Sequence, residues 1–204
     1  MEIRMSKGAP LEENDRTRQN LSNPSHNTES AIEFRRLTRL LSCQSSKPEE
    51  KKWHFCLIDC PEKADQDFWI QRINDQISEM KLGVGQLDVS AQVEHFGDFK
   101  DQMKQLSTKY QVVHVLNSTD WFISNLEGRR IDEKTRELGS WDAFNWHREN
   151  FAHNCRATWL FWGGDSLIKS CQVNALDLWT WRAGVYCLAR NADAAPTPPY
   201  VRAD

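Results

Sequence analysis

Short apolar runs alternate along this chain with longer stretches in which apolar residues recur every three or four positions. Runs of this length are typical of strands buried on both faces, and the longer stretches predict amphipathic helices. Five strands alternating with helices predict an α/β fold: a three-layer sandwich around a five-stranded, mostly parallel sheet with right-handed crossovers. The runs are WHFCLID (53–59), GVGQLDV (83–89), QVVHVLN (111–117), ATWLFWGG (157–164) and AGVYCLA (183–189).

The first predicted helix carries a cluster of arginines. Thr28 is a suitable N-cap, and the apolar residues that follow it form a stripe at helical spacing. Arg35, Arg36 and Arg39 fall outside that stripe, where they are either solvated or available to an acidic partner. Further helices are predicted over residues 61–81, 93–110, 137–154 and 165–176.

Composition divides the chain into one domain and two tails. Residues 1–27 are polar and poor in large apolar residues, so they are predicted to form a flexible tail. Residues 191–204 are predicted to form a proline-rich tail. The single α/β domain is expected over residues 28–190. The net charge of −3 disfavours a general affinity for nucleic acid, and no apolar run is long enough to span a membrane. Six cysteines without regular spacing favour a reducing, cytoplasmic setting.

Nine tryptophans are unusual for a chain of 204 residues. They either fill the core or mark an interface. The stretch LDLWTWRAGVYCL (176–188) poses this choice most sharply. Trp179 and Trp181 would face the same way in an extended segment and diverge in a helical turn. We expect Arg182 to anchor the turn through carbonyls or Asp177, and Gly184 to permit close approach as the chain enters the sheet.

A nucleotide site in such a sheet would lie at the first strand-to-helix turn. That turn, from Asp59 to Ala64, contains no glycine, and Pro61 removes one backbone donor. The third run ends at Asn117 rather than at an acid that could bind magnesium. The fragment GGDSLIKS (163–170) has the appearance of a phosphate loop. It follows a late strand, however, and it lacks the glycine that a phosphate loop has directly before its lysine. No catalytic or cofactor-binding residue is therefore predicted.

Histidine and cysteine patterns do not define a site either. The spacing of His147, His153 and Cys155 matches no zinc module, so no metal ligand is predicted. Cys60 precedes a predicted helix, which raises the hypothesis of a lowered thiol pKa. No histidine is obviously placed to use that thiol.

Three segments resemble a bacterial pattern. FNWHRENF (144–151), TWLFW (158–162) and LDLWTWRAGVY (176–186) are similar to segments of a degenerate P-loop-like α/β domain found in STAND- and TPR-type signalling and defence proteins. The last segment resembles that domain's terminal DfWsWRsGvf motif. Because this motif occurs in proteins with different partners, the resemblance implies that residues 176–188 seal the core rather than form a docking surface. The resemblance implies a P-loop-ATPase-like strand order, 5-1-4-3-2, without a functional Walker A motif. Residues 53–58 would be the former phosphate-loop strand and residues 111–116 the former magnesium strand.

These observations lead to one principal functional hypothesis. The chain is expected to be a non-enzymatic adaptor or regulatory subunit that binds another protein in a bacterial defence system, with a CRISPR-linked or caspase-like-protease-linked pathway as one setting. The expected partner surface comprises Arg35, Arg36, Arg39 and Trp121. The alternatives are a domain that binds a nucleotide without hydrolysing it and a module that binds single-stranded nucleic acid.

Overall fold

The computed structural model describes residues 25–127 and 140–188. Five strands form one sheet in the order β2-β3-β4-β1-β5, which is the predicted order 5-1-4-3-2 read from the other edge. Every strand pair is parallel. The prediction of an α/β fold with P-loop-ATPase-like topology is confirmed. The strands are β1 (His54–Asp59), β2 (Val84–Asp88), β3 (Val112–Leu116), β4 (Thr158–Gly163) and β5 (Gly184–Cys187).

Eight helices are found in the described part of the chain. The first begins at Ser25 rather than after Thr28, because the apolar stripe marks where the helix meets the sheet and not where it starts. Three short helices were not predicted: α3, α5 and α8. The helices are α1 (Ser25–Leu41), α2 (Lys63–Glu79), α3 (Val89–Gln92), α4 (Phe96–Lys109), α5 (Ser118–Glu127), α6 (Ser140–Asn154), α7 (Asp165–Asn174) and α8 (Leu176–Trp181).

Alternate side chains of the strands point to two separate cores. In β1, Phe55 and Leu57 join the core on one face of the sheet, while Cys56 and Ile58 join the core on the other. Helices α1 and α2 cover the second face and form the α1–α2 layer. Helices α3 to α8 cover the first face, and we call them the aromatic layer because phenylalanine and tryptophan rings fill their core.

Some predictions fall beyond the described residues. The tails predicted at 1–27 and 191–204 lie outside them, apart from the first residues of α1. Among the described helices, none is long and apolar enough to cross a membrane.

Candidate functional site

The turn between β1 and α2 is too short and too closely packed to surround a phosphate. Only Cys60, Pro61 and Glu62 connect the two elements. The backbone N–H of Cys60 donates to the carbonyl of Gly163, at 2.7 Å, and so ties this turn to the end of β4. A Cβ added to Gly164 would lie 3.2 Å from the Cβ of Pro61. A phosphate loop needs a wide, glycine-rich turn, whereas this turn is short, contains no glycine and has the N–H of Cys60 bonded to β4.

Acidic side chains surround this turn, which is unfavourable for phosphate. Burial raises the pKa of Asp59, and the neighbouring carboxylate of Asp165 raises it further. Burial and nearby acids also raise the pKa of the Cys60 thiol to about 12. The hypothesis of a lowered Cys60 pKa is therefore wrong: the thiol is enclosed, and it donates to the carbonyl of Leu188 at 3.1 Å.

At the end of β3, an amide takes the place where a P-loop enzyme has its magnesium-binding acid. Asn117 adopts a left-handed backbone conformation (φ 56°). Its Nδ2 donates to Asp88 at 2.9 Å and lies 3.3 Å from the hydroxyl of Ser90. These hydrogen bonds, with those from the first turn of α3, lower the pKa of Asp88. The carboxylate of Asp88 therefore caps α3 and accepts from Asn117.

The GGDSLIKS fragment is a strand–helix junction. Helix α7 begins at Asp165, directly after Gly164, so no loop separates β4 from the helix. Lys169 lies one helical turn further on and forms an ion pair with Asp165 at 2.5 Å. A phosphate-binding lysine would have to reach back over a glycine loop, which is absent from this junction.

The stretch that contains Trp179 and Trp181 is the helical turn α8, so the two indoles diverge. Trp179 packs against the core of the aromatic layer. The guanidinium of Arg182 lies 3.7 Å from the centre of the Trp179 ring and donates to the Trp179 carbonyl. Trp181 instead remains 42% exposed, with its ring 6.3 Å from that of Trp53. Trp179 therefore closes the core, while Trp181 faces solvent.

The neighbours of this turn differ in part from those expected. Arg182 uses a carbonyl and an aromatic ring, whereas Asp177 pairs with Arg148 at 3.4 Å. Arg148 also lies over the ring of Trp181, at 5.6 Å. Gly184 begins β5, and a Cβ there would approach the ring of Tyr186 to 2.7 Å. Glycine thus permits the close approach that was expected at this position.

Exposed apolar side chains collect around α8. Val173 is 78% exposed and Leu176 is 63% exposed. They lie at the junction of α7 and α8, and with Trp181 they form what we call the α8 corner. Since α8 leads into the first residue of β5, this corner lies at the amino-terminal edge of the sheet, opposite the edge where α/β folds bind nucleotides. Val173 and Leu176 were missed because an apolar residue in a predicted helix is assumed to face the core.

Three of the four residues of the expected partner surface are exposed. Arg35, Arg36 and Arg39 are exposed on α1. Arg36 forms an ion pair with Glu33 at 2.6 Å and lies over the ring of Tyr186. Trp121 does not belong to this surface: it is 7% exposed and packs on Phe99, with ring centres 5.1 Å apart. The prediction for Trp121 is wrong because residues 118–127 form a helix that turns the indole into the aromatic layer.

His147 and Cys155 pack against the fold. His147 stacks on Phe96 at 5.9 Å, and burial raises the pKa of Cys155 to about 12. Within residues 25–127 and 140–188, no group of three or more His, Cys, Asp or Glu side chains is placed to hold a metal ion.

Comparisons with known proteins give little beyond the fold. No protein-family model matches the chain, and no curated protein matches it. Among solved structures, it is similar to the Aeropyrum pernix ORC2 protein, determined in ADPNP–ADP complexes, with 14% identity and a TM-score of 0.46. The similarity covers 82% of this chain and 48% of that one, so the chain spans about half the length of that structure. Similarity at this level carries no information about function.

Proposed function

We propose that this protein is a non-enzymatic adaptor or regulatory subunit that binds a protein partner through the α8 corner. The observation that carries the proposal is the exposure of Val173, Leu176 and Trp181 on one short segment. Exposed apolar side chains, with a tryptophan among them, are typical of protein interfaces. Arg148, Asp177 and Arg182 supply a charged rim.

The hydrogen bonds at the carboxyl ends of the strands support the non-enzymatic part of the proposal. Cys60, Asp88 and Asn117 are all engaged in structural hydrogen bonds. The side chains that would have to handle a nucleotide therefore hold turns and helix ends together. The resemblance to STAND- and TPR-type proteins supports a bacterial defence setting, of which a CRISPR-linked or caspase-like-protease-linked pathway is one example.

The proposal is tested by affinity capture of the tagged full chain from its native lysate. We compare the wild type with the double variant Val173→Asp/Leu176→Asp. The two carboxylates should prevent an apolar partner surface from closing, and capture of the stoichiometric partner should fall at least roughly tenfold. The matched control is Ile32→Asp, which makes the same kind of change on the exposed side of α1 and should keep the partner.

Equal urea midpoints for the three proteins would show that folding is unaffected. Capture of the same partner at wild-type level by the double variant would remove the α8 corner from the proposal. A wild-type chain that brings down no stoichiometric protein would remove the adaptor function itself.

A further inference from the structure

The outer face of α1 combines one exposed apolar residue with arginines. Ile32 is 50% exposed. Arg35, Arg36 and Arg39 follow it at three, four and seven positions, which places all four side chains on one side of the helix. Arg36 is neutralised by Glu33 within α1. Arg35 and Arg39 form no ion pair with any residue in the described ranges, so their charge is available.

The outer face of α6 has the same pattern with the opposite sign. Trp146 is 76% exposed, the most exposed aromatic side chain in the described part of the chain. Asp142 lies four positions before it and Glu149 three positions after it, so both acids share its side of the helix. The nearest cation to Glu149 is Arg148, and they are 4.0 Å apart. The acids around Trp146 are therefore as available as the arginines around Ile32.

We propose that the outer face of α1 in one copy of this chain docks on the outer face of α6 in a second copy. Ile32 would pack against Trp146, which places Arg35 close to one of the two acids of α6 and Arg39 further out on the same side of the contact. The two faces are complementary in both respects that an interface requires, since each has an exposed apolar residue and the charges next to it are opposite in sign. The proposal goes beyond the adaptor function and does not depend on it, because the α8 corner is not part of either face.

The fold determines what kind of assembly this contact produces. Helix α1 belongs to the α1–α2 layer and α6 to the aromatic layer, so the two faces lie on opposite sides of the sheet. A single pair of copies cannot satisfy both faces at once. The contact is therefore heterologous, and copies should add head to tail into a ring or an open filament. Because each contact involves only one helix from each copy, assembly should be weak and should depend on protein concentration and salt.

Charge reversal in the full-length chain tests the proposal by sedimentation velocity across a wide range of protein concentration. The α1 variant is Arg35→Glu/Arg39→Glu, and the α6 variant is Asp142→Lys/Glu149→Lys. The wild type should form dimers and larger species at low salt. In each variant alone like charges meet, so the association constant should fall at least roughly tenfold. An equimolar mixture of the two variants should associate again, because every contact in it pairs opposite charges.

The control is Lys47→Glu/Lys52→Glu, which reverses two exposed basic residues that precede β1 and should assemble like the wild type. The α8-corner variant Val173→Asp/Leu176→Asp should also assemble normally, so the two proposals fail separately. A wild type that stays monomeric at every concentration would overturn the inference. So would assembly of the α1 or α6 variant at wild-type strength, or a mixture that stays as monomeric as its components.

Discussion

The two layers that cover the sheet are built from different chemistry. In the aromatic layer, Phe99, Phe122, Phe144 and Phe161 contact one another at ring-centre distances near 6 Å. The α1–α2 layer relies on aliphatic residues such as Leu37, Ile73 and Ile77. It also contains a hydrogen-bonded group formed by the buried Trp162 and His114 and the half-buried Asn74.

This difference explains where most of the tryptophans go. Trp121, Trp141 and Trp159 are buried in the aromatic layer, while Trp69 and Trp162 are buried under α1 and α2. Only Trp146 and Trp181 are exposed among the tryptophans, all of which lie in the described ranges. Core filling therefore accounts for most of the excess. The surfaces that remain for partners are few, which makes the α8 corner and the outer face of α6 informative.

The largest effect should come from emptying part of the aromatic layer. Trp141 is fully buried, stacks on Phe122 with ring centres 4.0 Å apart, and donates from Nε1 to Ser170 at 3.0 Å. Trp141→Ala should lower the free energy of unfolding by roughly 3–5 kcal/mol, measured by urea denaturation. Because no ionisable partner is involved, the loss should be the same at pH 5 and pH 7. A loss that grows on acidification would contradict the view that no ionisable group contributes to the packing of Trp141.

The α1–α2 layer should respond to pH instead. Trp162 Nε1 donates to His114 Nδ1 at 2.9 Å, so that nitrogen must be unprotonated, while Nε2–H faces Asn74 Oδ1 at 3.1 Å. Burial lowers the pKa of His114 to about 4. The unfolded chain, with a histidine pKa near 6.5, binds the proton first. The contribution of His114 to the free energy of unfolding should be fully present above about pH 6.5. It should fall by about 3 kcal/mol as the pH drops towards 4.

Burial lowers the pKa of His54 and His147 as well, so these residues also contribute to the loss of stability in acid. The variant His114→Gln separates the contribution of His114 from theirs. Urea midpoints measured between pH 4 and pH 7 should show a shallower slope for the variant than for the wild type, whatever its stability at pH 7. Parallel curves would assign the acid sensitivity to other groups.

The aromatic layer also packs tightly at its junction with the carboxyl edge. A Cβ on Gly163 would lie 2.5 Å from Thr119 Oγ1 and 2.7 Å from Leu167. Gly163→Ala should therefore cost roughly 1–3 kcal/mol. Gly97, in α4, has no atom within 4 Å of its added Cβ, and Gly97→Ala should stabilise the protein by up to about 1 kcal/mol. In thermal unfolding, the melting temperature should fall for Gly163→Ala and rise for Gly97→Ala. A rise for both would show that α5 and α7 shift to accommodate the added methyl group.

The sequence was sufficient for the sheet because its signal is local. A short run rich in β-branched residues, such as QVVHVLN, favours a strand covered on both faces, and β3 lies within that run. Helix α5 was missed because Asn117, Ser118 and Thr119 suggest the end of a strand, whereas Asn117 turns the chain through a left-handed conformation into a new helix. Tertiary packing of Trp121 and Phe122, rather than helix propensity, holds that segment in place.

The surfaces were harder to predict than the core. The arginines of α1 were recognised because charge at the outer face of an amphipathic helix is visible in the sequence. Trp146 was not recognised, although it lies two positions from the buried Phe144 and so on the far side of the same helix. An aromatic residue in a helix suggests burial on average, and only the angular position relative to the core residues shows that this one faces solvent.

The smallest expected effect concerns the carboxyl ends of the strands, where α/β folds bind nucleotides. ATP, ADP and GTP with magnesium should leave the melting temperature of the full chain unchanged, because stabilisation requires binding to the folded state. The turn from Cys60 to Glu62 is tied to β4, and Asn117 is bonded to Asp88, so binding would have to break both sets of contacts. Differential scanning fluorimetry is the measurement, with calorimetry as its check. A rise in melting temperature that scales with ADP concentration would show that the turn opens. The chain would then share nucleotide binding, and not only strand order, with P-loop ATPases.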